Sequence, residues 1–169
     1  MKKVRLATVW LDGCSGCHMS LLDMDETILQ IAKRVDVVYG PLVDAQEFPK
    51  AVDVAVVEGA VSSQDDLEKV HTIRRRSKLV VSLGDCAVTG NVPAMRNTHP
   101  ARKMLENIYG TLPTEGVPAL LRQAVPLHEV IKVDLHVPGC PPPAKSIANV
   151  LSELVEGRMP NLATKVKFG

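Results

Sequence analysis

Each of the four cysteines in this 169-residue sequence stands a few residues beyond an apolar, β-like run. Cys14 and Cys17 follow residues 4–10, Cys86 follows residues 78–83, and Cys140 follows residues 130–137. A further run, residues 52–59, is almost continuously apolar and ends in Glu58-Gly59. Such runs suit strands covered on both faces, as in a parallel sheet. Between them, apolar residues return at three- and four-residue spacing, as in Leu21, Leu22, Ile28, Leu29, Ile31 and Ala32, which predicts amphipathic helices.

The spacing predicts strands at residues 4–10, 35–39, 52–59, 78–83 and 130–137. Helices are expected at 18–35, from a Ser62 or Ser63 cap to about residue 77, around 100–109, and from about 144 to 156. Residues 87–130 show no strong strand. Strand-helix alternation argues for an α/β chain with a parallel sheet covered on both sides. Right-handed crossovers and the short opening unit favour a flavodoxin-like doubly wound order, 2-1-3-4-5 among the five expected strands. In such a sheet the carboxyl ends of the strands share one edge, where ligands bind. All four thiols are then candidate members of one site, with Glu58 beside it.

A content of 46% hydrophobic and 23% charged residues suits one domain over residues 1–169. The net charge of +1 provides no strong field for nucleic acid or an anionic membrane. Arg74, Arg75 and Arg76 read as a solvated helix end favoured by the helix dipole. The N-terminal stretch lacks the pattern of a secretion signal, there is no paired-arginine export signal, and no window is long enough to span a membrane. A cytoplasmic location is therefore expected, where cysteines point to metal binding or redox work rather than structural disulfides.

Three chemistries suit four convergent thiols. A cubane [4Fe-4S] cluster needs four thiolates, and one Cys-x-x-Cys plus two isolated cysteines can supply them. A structural zinc site is a second reading, although it more often shows two paired knuckles. A thioredoxin-like dithiol at Cys14 and Cys17 is the third, and it leaves Cys86 and Cys140 without a role. Gly13, Gly16, Gly84 and Gly139 place a glycine within two positions of every thiol, where the backbone must bend and N–H groups can approach sulfur. Pro138 and the run Pro141 to Pro143 stiffen the last loop.

Trp10-Leu11-x-x-Cys14-x-Gly16-Cys17, Glu58-Gly59-Ala60, Gly84-Asp85-Cys86-Ala87 and Pro138-Gly139-Cys140-Pro141-Pro142 together resemble the small subunit of [NiFe] hydrogenases, most closely the short form of soluble bidirectional NAD-reducing enzymes. The resemblance covers nearly the whole chain. It implies that Cys14, Cys17, Cys86 and Cys140 bind one [4Fe-4S] cluster proximal to a nickel-iron site in a partner large subunit. It also implies electron transfer toward a diaphorase iron-sulfur subunit, with FMN and NAD in the diaphorase. FMN in this chain is not expected, because the loop that would hold its phosphate carries Cys14 and Cys17. The chain alone is expected to be inactive.

Larger uptake hydrogenases carry further cluster ligands in an extension, and no fifth cysteine is present here. The similar subunit of respiratory complex I, which serves quinone chemistry, has adjacent cysteines where Ser15 and Gly16 intervene here. Short small subunits also occur in coenzyme F420-reducing and sulfur-reducing hydrogenases. A non-catalytic zinc protein is the opposing class. Glu58 is a candidate for a proton-relaying or cluster-tuning role, against simple capping or salt bridging. His18 reads as a helix-start residue near the cluster and Asp85 as a loop cap. His71, His99, His128 and His136 show no ligand spacing and read as structural or surface residues.

Overall fold

The computed structural model describes residues 3–113 and 115–162. Five parallel strands, β1 (Val4–Trp10), β2 (Val35–Tyr39), β3 (Val52–Glu58), β5 (Ser77–Leu83) and β7 (Leu135–Val137), form a sheet in the order β2-β1-β3-β5-β7. This is the expected doubly wound order. Strand β4 (Val61–Ser63) pairs antiparallel with β6 (Leu120–Val125) in a separate ribbon.

Alternation along the strands divides the core in two. One face presents Leu6, Val54, Val56, Val81, Leu83 and Val137 to the last helix, α7 (Ala144–Val155), through Ile147, Val150, Leu151 and Leu154. The other presents Ala7, Val9, Ala55, Val57 and Val80 to Val70 and Ile73 of α3 (Gln64–Arg76), with Phe48 and Leu127 beside them. Fully buried aliphatic side chains such as Ile73 and Ile147 contribute about 1.5–3 kcal/mol each. The start of α3 is fixed by a reciprocal cap. Ser63 Oγ accepts from the Asp66 N–H at 3.1 Å, and Asp66 Oδ2 accepts from the Ser63 N–H at 3.0 Å.

Four expectations need correction. The helix expected over 18–35 is two, α1 (Gly16–Leu22) and α2 (Thr27–Ala32). Asp25 takes a left-handed φ of 49° between them, a conformation aspartate tolerates, and Met24 turns into the core there. The strand expected over 130–137 shrinks to β7. The Asp134 carboxylate ahead of it accepts from the Val80 N–H at 2.8 Å and from Arg74 at 2.6 Å, while Leu127 and Ile131 sit in a turn that covers the sheet. Residues 87–130 contain β6 after all, besides α4 (Asp85–Thr89), α5 (Asn91–Ala94) and the expected α6 (Ala101–Tyr109). The arginine run is not simply solvated: Arg74 also donates to the Ser77 and Lys78 carbonyls, and Arg76 to that of Phe48.

The register places the site. Trp10 pairs with Glu58, Glu58 with Leu83, and Leu83 with Val137, so the last residues of four adjacent strands lie in one row. The cysteine loops all leave from that row.

Candidate metal centre

The loop after β1 is pinned first. The Leu11 N–H donates to the Glu58 carbonyl at 2.9 Å, and Asp12 and Ala60 exchange backbone bonds at 3.1 and 2.7 Å. Ser15 follows with φ 62°, and α1 starts at Gly16, so Cys17 lies in its first turn while Cys14 stays exposed in the loop. Ser20 Oγ, on the same short helix, donates to the buried Pro142 carbonyl at 2.6 Å and ties α1 to the loop of Cys140.

The other two loops are held to each other. The Gly84 N–H donates to the Val137 carbonyl at 2.8 Å and the Asp85 N–H to that of Gly139 at 2.9 Å. In return the Gly139 N–H donates to Asp85 Oδ1 at 2.6 Å inside the protein. Asp85 is therefore the clamp between the Cys86 and Cys140 loops, a larger role than a loop cap. Gly84, at φ 82°, packs behind Cys17: a Cβ there would collide with the Cys17 sulfur at 2.2 Å. Gly13, Gly16 and Gly139 line the cavity itself.

Cys14, Cys17, Cys86 and Cys140 line one cavity of about 100 Å³, together with Glu58. The space suits a compact inorganic core of several atoms. Among the described residues, no three or more of the Cys, His, Asp and Glu side chains close around a single ion. The thiols also feel one another. Burial, then the charges of Glu58, Cys86, Cys14 and Cys140, push the Cys17 thiol well above its ordinary range. Cys86 is raised by burial and by Cys140 and Cys14, against a lowering hydrogen bond from the Val92 backbone. Four thiolates in so small a space require a cationic core to coexist. The sulfurs, the volume and the scarcity of side chains at the wall fit an iron-sulfur cluster.

Glu58 is buried at 2% exposure. Its Oε2 accepts from the His18 N–H at 2.7 Å and lies 2.9 Å from His18 Nδ1. The ring contact is off-axis, and among the described residues neither ring nitrogen of His18 has an aligned hydrogen-bond partner. The carboxylate thus sits at the start of α1 as an N-terminal acceptor as well as at the cavity. His136 takes a hydrogen bond with buried Ser82 at 2.8 Å and packs edge-on to His128 at 5.8 Å, and it does not line the cysteine cavity.

Two residues near the sulfurs were not legible from the motifs. Asn91 Nδ2 donates to Cys140 Sγ at 3.5 Å, and the backbone of Val92 bonds to Cys86. The available signal was the Gly90-Asn91 pair, a turn dipeptide four residues past Cys86.

A parallel α/β sheet whose strand ends deliver four cysteines to one cavity defines a domain of metal-centre type, and residues 14–154 match the family described as NADH ubiquinone oxidoreductase, 20 Kd subunit. The chain belongs to that family. It is 35% identical, over 97% of its length and 84% of the relative's, to the delta subunit of the NAD-reducing hydrogenase HoxS of Cupriavidus necator. It is 37% identical, over 96% of its length, to a subunit of the F420-non-reducing hydrogenase vhu of Methanocaldococcus jannaschii, and it spans 60% of that relative. Its fold superposes with a TM-score of 0.94 on a chain from a crystal structure of an NAD+-reducing [NiFe]-hydrogenase, at 34% identity, covering 99% of this chain and 100% of that one. The resemblance drawn from the cysteine motifs therefore extends across the whole fold.

Proposed function

We propose that the chain is the electron-transfer small subunit of a [NiFe] hydrogenase, with Cys14, Cys17, Cys86 and Cys140 as the ligands of a single [4Fe-4S] cluster. The observation that carries this reading is the gathering of four cysteines from three separate strand ends around one small cavity. Bound there, the cluster would supply a one-electron carrier between H2 oxidation at a partner's nickel-iron site and an NAD(P)-reducing diaphorase. The protein's own part is to hold four thiolates at fixed positions, to exclude side chains from the cavity with Gly13 and Gly16, and to aim N–H donors at the sulfurs. Cys14 and Cys140 are the exposed pair, so the cavity opens toward any subunit that docks on this edge. Met19 and Leu22 on α1 present apolar surface beside it, at 58% and 45% exposure, which suits a protein partner.

The acceptor divides the reading. The relative named as a subunit of an NAD-reducing hydrogenase supports a diaphorase. The relatives named F420-non-reducing hydrogenases support a different acceptor. Among the described residues no helix is long and apolar enough to cross a membrane, and a cytoplasmic location accompanies the proposal.

Iron, acid-labile sulfide and zinc are measured per chain after anaerobic purification, with an EPR spectrum of the reduced sample. About four iron and four sulfide, with a reduced-cluster signal lost in Cys86→Ser, is the expected result. About one zinc and no signal overturns the proposal. H2-dependent reduction of NAD+ by the purified complex, absent from the isolated chain, then distinguishes the diaphorase route.

A further inference from the structure

The segment that follows Cys86 makes a sharp excursion. Gly90 closes α4 with φ 87°, its N–H donating to the Cys86 carbonyl at 3.0 Å, and Asn91 continues with φ 33°. A left-handed asparagine is tolerated where most side chains are not, and residues held in such conformations concentrate at functional sites. Asn91 opens α5, whose N-cap is Gly90. The Asn91 amide reaches across to the Cys140 loop and donates to Cys140 Sγ at 3.5 Å, while the next residue, Val92, meets Cys86 through its backbone. Two thiols from different strands are thus hydrogen-bonded by two consecutive residues.

That segment is held from behind by the β4-β6 ribbon. Arg96 donates to the Leu121 carbonyl at 3.1 Å and to the Ser62 carbonyl at 2.9 Å. Asn97 brackets Ala124, donating to its carbonyl at 2.7 Å and accepting from its N–H at 2.8 Å. The ribbon lies outside the main sheet and contributes no cysteine. Its contacts fix where residues 90–98 can sit.

We infer that Asn91 is a positioning and tuning residue for the cluster, its side-chain N–H stabilising the more negative, reduced state through Cys140 Sγ. The inference rests on the cluster reading above. On one-electron reduction, the added electron raises the negative charge shared by the core and its four thiolates. No proton moves and no bond breaks. A donor aimed at a thiolate sulfur gains strength with that charge, so it favours the reduced state and raises the potential. Removing it lowers the potential.

The test is an EPR-monitored redox titration of the full 169-residue chain, purified anaerobically and reduced with dithionite. Asn91→Gly removes the donor and suits the left-handed backbone. Asn91→Asp keeps the shape, lacks the donor and adds a negative charge. Met95→Ala, an exposed neighbour at 70% exposure, is the control. With four iron retained per chain, Asn91→Gly is expected to shift the reduction equilibrium toward the oxidised state by roughly threefold to tenfold. Tenfold corresponds to about 59 mV for one electron. Asn91→Asp shifts it further the same way, and Met95→Ala leaves it in place. Unchanged midpoints in both Asn91 variants, with the cluster intact, overturn the inference and leave the cluster reading standing. A wild-type chain that holds no iron and sulfide overturns both.

Discussion

Gly84 lies against Cys17 so closely that no side chain fits between them: a Cβ on Gly84 would come within 2.2 Å of the Cys17 sulfur. Its φ of 82° and ψ of 160° also belong to a region that L-residues with a side chain avoid. Gly84→Ala therefore meets two penalties. Backbone strain costs about 1–3 kcal/mol, and relieving the collision requires Cys17 to leave its position. The expected outcome is a soluble but less stable chain with iron content well below wild type. Thermal unfolding and iron analysis of the same preparation check it. Wild-type iron in a destabilised protein would show that Cys17 relaxes without losing its function.

Asp85 couples two loops that are 54 residues apart, and its effect should be readable without any cofactor. Its Oδ1 accepts from the buried Gly139 N–H at 2.6 Å. Asp85→Ala leaves that donor unsatisfied, at a cost of about 1–3 kcal/mol. Asp85→Asn keeps an acceptor and is expected to lose less. Urea midpoints of the apoprotein should rank wild type above Asp85→Asn above Asp85→Ala, with the slope of the transition unchanged.

The main sheet was legible because its three central strands, β1, β3 and β5, are covered on both faces, which leaves runs such as Val54-Ala55-Val56-Val57 with no polar face to confuse the reading. The convergence of the cysteines followed from topology alone. Other parts were not legible for local reasons. Three residues of β4 are too few to show a period, and β6 alternates poorly because Arg122 and Gln123 are both exposed. Residues 130–134 have strand-like chemistry, but Asp134 spends its carboxylate on Arg74 and Val80, and the chain enters the sheet only at Leu135. Gly90-Asn91 marks only a turn, and the place of Asn91 against Cys140 depends on a ribbon that the sequence did not announce.

Asp134 supplies a pH-dependent element far from the cysteines. Burial alone would raise its carboxyl, but the hydrogen bond from Arg74, the Val80 N–H and the charges of Arg74 and Lys132 outweigh it and hold the group below the usual carboxylate range. A depressed folded-state value means that the stabilisation is complete above the unfolded carboxylate value of about 3.9. It is lost as pH falls through the lower folded-state value. Asp134→Asn should thus be less stable than wild type at pH 7, and the gap should close below about pH 4. Denaturant midpoints across that range check the sign. A gap that widens in acid would contradict the assignment.

Glu58 presents the choice between a proton relay and a fixed acceptor. Its carboxylate is buried, accepts from the His18 N–H at 2.7 Å, and lies under the first turn of the helix that carries Cys17. An acceptor in that place holds the helix start, and with it the Cys17 sulfur, whether or not it ever carries a proton. Gln can accept the same bond through its carbonyl oxygen, whereas Ala cannot. Glu58→Ala is expected to lose about 1–3 kcal/mol of stability together with part of its iron, through the unsatisfied His18 N–H. Glu58→Gln is expected to keep its iron, and the proposed hydrogenase complex to exchange hydrogen and deuterium at the wild-type rate. Loss of that exchange with the cluster intact would instead make Glu58 a proton carrier, because the amide preserves the hydrogen bond and removes only the titrating proton.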